Sequence, residues 1–229
     1  MTAFVLGATG YVGREVVRQL AVRGEKAFAH VRPDSKELSR WEKTFADMGA
    51  TIDTTAWDVD ALAARWKDVK PTVVYICIGT TRKKAKSDAL VGNIYETVDF
   101  GLTKLAADAA AASGAKPRLV YLSSVGANAS SSSDYLAWRG KAEDAVKASG
   151  VPWVIARPSM IHGERDEGRP GEAVISVVGD GLLSVVGMFG AKKLRAKYRS
   201  TTGDILAAAL IRLGEHVAPG TIAEGDDLR

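Results

Sequence analysis

GATGYVG, Gly7 to Gly13, follows the apolar run Ala3-Phe4-Val5-Leu6 and opens a segment with Val12, Val16, Val17, Leu20 and Ala21 at helical spacing. A strand that turns on glycines into an amphipathic helix is the context a dinucleotide-binding turn requires. Gly7 permits the tight turn, Gly10 lets backbone approach a pyrophosphate, and Gly13 allows helix to pack closely on strand. The phosphates then rest on the amides of the helix N-terminus, with Thr9, Tyr11 and Val12 in the same cradle. One heptapeptide thus points to both a fold and a ligand.

Working outward, the apolar runs KAFAHVR, PTVVYICIG, PRLVYLSS and PWVIAR alternate with helical patterns. Val98, Leu102, Leu105, Ala106, Ala109 and Ala110 form one clear stripe, stopped by Gly114 and Pro117. Such alternation predicts an α/β fold, a Rossmann-type doubly wound parallel sheet covered on both faces. From Pro158 to about Lys197 the alternation becomes irregular, and a small C-terminal substrate lid is the expected content. We therefore expect one NAD(P)-binding domain over residues 1–229, with 158–200 as a substrate-side elaboration. ASSSSD, Ala129 to Asp134, reads as a loop, with Asp134 as the N-cap of the next helix.

The 229 residues are 46% hydrophobic and 25% charged, ordinary globular values, and suffice for one substantial core. A net charge of +4 mildly favours anionic small molecules and specifies no nucleic-acid partner. The single cysteine, Cys77, lies in an apolar run and reads as a structural thiol. His30, His162 and His216 are too scattered for a local metal motif, so no metal is expected. Ala173 to Ala191 is nearly long enough to span a membrane, but Asp180 and four glycines make it buried helix and loop instead. No secretory signal is visible, and a cytoplasmic location follows by default.

The second strand ends in HVRPDS. An acidic residue there would bind the ribose 2′-hydroxyl of NAD, whereas Arg32 suits the 2′-phosphate of NADP, so NADP(H) is expected over NAD(H). After the fourth strand comes GTTRKKAKSD. Gly79 passes beneath the cofactor at the carboxyl edge of the sheet, and Thr80, Thr81 and Arg82 lie towards the ribose or nicotinamide. The basic run Arg82, Lys83, Lys84 and Lys86 is a solvated loop or an anion contact. Asp58 and Ser123 are further expected cofactor contacts.

The fifth strand ends in YLSSVGA, and YLAWRGK begins eleven residues after Ser124. A serine at a strand end followed by a tyrosine on a helix is suited to polarising a carbonyl or alcohol beside a nicotinamide. Ser124 orients the substrate oxygen, and Tyr135 exchanges a proton with it.

Over nearly its whole length the chain resembles the short-chain dehydrogenase/reductase superfamily, in its atypical or extended branch of NmrA-like and Tat-interacting-protein-like NAD(P)H-binding proteins. GATGYVG, CIGTTR, YLSSVGANASSSSDYLAW, ARPSMIHGERDEGRPGE and STTGDILAAAL carry the resemblance. It implies a Rossmann fold, NADP(H), Ser124 or Ser123 with Tyr135 as proton-handling residues, and Arg157-Pro158 as a pair whose backbone lines the nicotinamide pocket. Two positions depart from the pattern: Arg139 stands where a lysine is usual, and Asp99 where an asparagine is frequent.

Residues four apart share a helix face, so Arg139 can bring its charge near Tyr135 and a ribose, whereas Lys141, six residues on, points elsewhere. Arginine cannot release a proton at accessible pH and so cannot serve as a relay. Two functions remain open. One is an NADP(H)-dependent oxidoreductase acting on a small carbonyl or alcohol, with Ser124, Tyr135 and Arg139 catalytic. The other is a catalytically weak NADP(H)-binding redox sensor that reports to a protein partner. A homodimer is compatible with either, and neither needs a membrane.

Overall fold

The N-terminal strand β1 (Thr2–Leu6) is buried from Ala3 onwards and lies in the middle of the sheet. A computed structural model describes residues 1–80, 92–162 and 201–229. After β1 the chain runs through α1 (Tyr11–Val22), β2 (Lys26–His30), α2 (Leu38–Asp47), β3 (Thr51–Asp53), α3 (Val59–Val69) and β4 (Val73–Ile76). A π-helical segment (Tyr95–Gly101) leads into α4 (Leu102–Ala112), followed by β5 (Arg118–Leu122), α5 (Asp134–Ala148) and β6 (Trp153–Arg157). The last described elements are β7 (Ile161–His162), β8 (Thr201–Thr202), α6 (Gly203–His216), β9 (Thr221–Glu224) and a 3₁₀ turn (Gly225–Leu228).

Seven strands pair in the order β3-β2-β1-β4-β5-β6-β9, and all six pairings are parallel. This is the Rossmann arrangement that the alternation of strands and helices predicts. β7 and β8 form a separate parallel pair. Successive side chains on each strand face opposite sides, so two cores result. Val5, Tyr75 and Val120 join Val16, Leu20, Phe45 and Leu210 on one face. Phe4, Ile76 and Tyr121 join Leu62, Trp66, Ala106 and Val146 on the other. Burying both faces explains why the central strands are continuous apolar runs rather than alternating ones.

Between β1 and β4 the direction of strand order reverses, and a crevice opens outside the carboxyl ends of the strands there. The tip of β1, the ends of β4, β5 and β6, and the N-terminus of α1 all face that edge. Helix α5 begins at Asp134, with Ser133 rather than Asp134 in the N-cap position and no capping side-chain bond. Asp134 instead occupies the first turn, where a carboxylate complements the helix dipole.

Candidate active site

The glycine turn is built from backbone constraints. Gly7 has φ 75°, a left-handed conformation that favours glycine, and a Cβ there would lie 2.5 Å from the Cys77 carbonyl oxygen. A Cβ on Gly13 would lie 2.2 Å from the Gly7 carbonyl oxygen, so this glycine lets α1 sit directly on the turn. Gly10 is different: its Cβ would meet only the Gly7 oxygen, at 3.2 Å, and the space above it is otherwise open to a ligand. Gly10 is also the N-cap of α1 and supplies no side-chain cap, and the first turn carries no acidic residue. The donors at this helix start are therefore available to an anion, and the residues present fit a pyrophosphate.

Tyr11 turns its ring towards the C-terminal part of the chain. Its hydroxyl donates to the His162 carbonyl at 3.3 Å and accepts from the Gly203 amide at 3.3 Å. Gly203 has no room for a Cβ, which would fall 2.6 Å from the ring. Tyr11 thus joins the cofactor turn to the β7/β8 pair and α6. Val12 is buried in the core beneath, whereas Thr9 lies half-exposed in the turn.

Arg32, two residues beyond β2, is 46% exposed in its side chain, with Nε 3.7 Å from Asp34. The same region contains a buried cluster that the sequence does not announce: Asp53 takes Arg65 at 2.6 Å, and His30 Nε2 lies 2.7 Å from the Thr55 carbonyl oxygen. Burial lowers the His30 pKa, partly offset by that carbonyl and by Asp53. Asp58 caps α3, its carboxylate accepting from the Ala61 amide at 2.9 Å. One carboxylate oxygen therefore already has a structural duty.

On the other side of the crevice the structure departs from a simple tyrosine–arginine–ribose line. Arg139 is buried, its side chain 7% exposed, and its Nη1 donates to the Leu122 carbonyl at 2.7 Å and the Tyr121 hydroxyl at 3.1 Å. Its Nη2 lies 2.9 Å from Oδ1 of Asp99, which is fully buried. The guanidinium sits 5.5 Å from the centre of the Tyr135 ring and 5.8 Å from that of Tyr121. The expected approach of Arg139 to Tyr135 is present. Its expected reach to a ribose gives way to an inward pairing, because these acceptors hold the guanidinium beneath the strand ends. Gly79 makes room for it, since a Cβ there would lie 2.4 Å from Nη2.

Asp99 Oδ2 accepts the Thr80 amide at 3.2 Å, so the cofactor-side strand end is tied to the same ion pair. Desolvation raises the Asp99 carboxyl, and the Arg139 charge opposes that rise. Burial pushes the Tyr121 hydroxyl up to about 12, against the pull of Arg139, and it pushes the Cys77 thiol up to about 12 as well.

Tyr135 is half-buried at the start of α5, its ring edge-to-face with Tyr95 at 5.4 Å. Ser124 is buried at the end of β5, its hydroxyl directed at the Val125 carbonyl at 3.4 Å, a long contact a substrate oxygen could replace. Ser123 does something else: it donates to Glu143 at 2.6 Å. Of the two serines that the sequence leaves open, Ser124 is the one without a strong bond. Lys141 Nζ lies 3.6 Å from the centre of the Trp138 ring.

Arg157 uses its side chain structurally. Nε and Nη2 grip Glu143 at 2.8 and 2.6 Å, and Nη1 reaches Glu224 at 3.2 Å. Its neighbour Pro158 accepts the Val125 amide at 2.9 Å, joining the ends of β5 and β6. Glu143, which no motif singles out, is 1% exposed and is the hub of this clamp. Gly140 is equally unannounced: a Cβ there would lie 2.2 Å from the Ala129 amide nitrogen, so the loop after β5 crosses α5 at this point. A glycine inside a helix costs about 1 kcal/mol relative to alanine, and that cost was the available signal. Thr81, Arg82, the basic run, the GERDEGR stretch and most of the 158–200 elaboration lie outside the described residues.

With this geometry in view, the similarities to known proteins are consistent. A family model described as NAD(P)H-binding matches residues 7–180. The mitochondrial protein fmp52 of Aspergillus fumigatus is 31% identical over 97% of this chain and 91% of its own. Protein HTATIP2 of Rattus norvegicus is 31% identical over 75% of this chain and 67% of its own. Among solved structures, a UDP-N-acetylglucosamine 4-epimerase from Bacillus cereus superposes with a TM-score of 0.64 at 15% identity, covering 99% of this chain and 79% of that one. That likeness concerns the fold alone. The mitochondrial names of the fmp52 relatives overturn the cytoplasmic location expected from the sequence, which rested on a default rather than on any residue.

Proposed function

The chain belongs to the NAD(P)H-binding family, in its atypical short-chain dehydrogenase/reductase group, and we propose that it is an NADP(H)-dependent oxidoreductase acting on a small carbonyl or alcohol. The observation that carries this reading is the convergence at one sheet edge of an uncapped α1 N-terminus, Ser124 and Tyr135. When bound, the nicotinamide supplies or accepts hydride. Gly7, Gly10, Gly13 and the first turn of α1 hold the pyrophosphate, Arg32 holds the 2′-phosphate, and Gly79 and Thr80 form the floor beside the ribose.

Ser124 turns its hydroxyl from the Val125 carbonyl to the substrate oxygen. Tyr135 then gives that oxygen a proton on reduction, or takes one on oxidation. Arg139 keeps a fixed positive charge 5.5 Å from the centre of the Tyr135 ring and so holds the ring in place beside the substrate.

The test is consumption of NADPH by the purified protein over a panel of small aldehydes and ketones, with NADH in parallel. Consumption with NADPH preferred is expected. Tight NADPH binding with no consumption across the panel would instead support a redox sensor, the reading favoured by the commitment of Arg139 to Asp99. That sensor's affinity for a protein partner would change with the cofactor state.

A further inference from the structure

We propose that Asp99 is the positioning residue of this site: it holds the Arg139 guanidinium against Tyr135 and ties the Gly79–Thr80 backbone to the same charge. The proposal rests on the oxidoreductase reading above and adds a residue to it.

Four elements converge on this carboxylate. Asp99 itself comes from the π-helical segment Tyr95–Gly101, a wide turn of a kind often kept at functional sites. Through Oδ2 it receives the Thr80 amide from the end of β4, and through Oδ1 it faces Nη2 of Arg139 on α5 at 2.9 Å. Arg139 then reaches β5 through Tyr121 and Leu122. Gly79 completes the arrangement, because any side chain there would strike the guanidinium.

Burying an arginine and an aspartate together is costly, and a pair kept for stability alone should satisfy its polar atoms. This pair does not: among the described residues, Nε of Arg139 and Oδ1 of Asp99 are buried without an aligned hydrogen bond. What the arrangement does secure is direction. The planar guanidinium lies 5.8 Å from the centre of the Tyr121 ring and 5.5 Å from that of Tyr135, and Asp99 supplies the counter-charge that keeps it there. The pair is also closed, since arginine retains its proton. Arg139 therefore passes no proton to Tyr135.

Two arms test this. In the first, the protein without cofactor is labelled with ¹³C-tyrosine, and the Tyr135 ring resonance is assigned by its loss in Tyr135→Phe. Asp99→Asn should shift that resonance clearly while the fold persists; an unmoved Tyr135 resonance in folded Asp99→Asn overturns the proposal whether or not the protein turns over.

In the second arm, Asp99→Leu/Arg139→Met replaces the pair by apolar volume, an exchange that proteins often tolerate without loss of stability. Its NADPH dissociation constant should stay within about threefold of wild type while the single-turnover rate falls at least tenfold. Wild-type rate in the double variant overturns the proposal. Should the double variant not fold, Asp99→Asn takes its place, because it removes the counter-charge to Arg139 while keeping the side-chain volume. It should lose at least fivefold in kcat with KM unchanged, and an unchanged kcat counts against the proposal. A wild-type protein that consumes no NADPH contradicts the oxidoreductase reading instead, leaving the first arm to decide on Asp99.

Discussion

Helix α5 carries two buried ion pairs one turn apart, and they are built differently. Glu143 meets Arg157 in a two-pronged grip at 2.6 and 2.8 Å, takes the Ser123 hydroxyl, and has Lys147 nearby. Arg139, four residues earlier, meets Asp99 at 2.9 Å in a contact that, among the described residues, leaves one polar atom of each without an aligned hydrogen bond. The first pair is a satisfied clamp that fastens α5, β5, β6 and β9. The second lies under the crevice against Tyr135, with its geometry spent on aim. Similar chemistry on one helix face therefore serves architecture at one turn and the site at the other.

The largest effect should come from breaking the clamp. Glu143→Ala removes the two-pronged partner of Arg157, which keeps Glu224, and the acceptor of the buried Ser123 hydroxyl, and should cost about 1–3 kcal/mol of unfolding free energy in urea. A loss under about 1 kcal/mol would erase the distinction between the two pairs. On the cofactor side, Gly10→Ala should lower the unfolding midpoint only modestly, because the added methyl meets a single backbone atom, the Gly7 oxygen at 3.2 Å, which must give slightly. It should nevertheless weaken NADPH binding by about tenfold, or ~1.4 kcal/mol, by filling the cradle; unchanged affinity in calorimetry would remove the pyrophosphate from Gly10.

Arg32→Ala should reduce the preference for NADPH over NADH by about fivefold at low salt, and by less at high salt, as an exposed ion pair requires. An unchanged cofactor ratio would move 2′-phosphate recognition elsewhere. The smallest effect concerns His30, whose pKa burial lowers. The unfolded chain then binds the extra proton more readily, so the contribution of His30 is complete above about pH 6.5 and is lost as pH falls from there towards the folded value. Urea midpoints should drop from pH 7.5 to pH 5.5, and His30→Gln should flatten part of that drop.

What the sequence made legible is local and backbone-encoded. Gly7, Gly10 and Gly13 each have a role fixed by neighbours within a few residues or by the adjacent strand, and the central strands are apolar because both faces are covered. The edge strands β3 and β9 are only three and four residues long and carry no apolar run, so no pattern marks them. The π-helical turn is hidden because Val98 fits the ordinary helical stripe of α4.

Charged side chains are the other blind spot. In DYLAWRGKAEDAVKA a buried Arg139 and Glu143 look like the solvated face of a polar helix, and their partners are 40 and 14 residues away in sequence. The signal for the first pair was present but unread: Arg139 and Asp99 both depart from the expected pattern, and the two departures carry opposite charge. Nothing comparable flags Glu143 and Arg157, since Arg157 drew notice for its backbone alone.

The central claim is that Tyr135 handles a proton during hydride transfer at this site. The most direct measurement is the single-turnover rate at which NADPH, bound beforehand to wild type and to Tyr135→Phe, is oxidised by the same carbonyl substrate. Equal NADPH affinity and a rate at least about 100-fold lower in Tyr135→Phe are expected, within the range for loss of a general acid. Equal rates in the two proteins would contradict it.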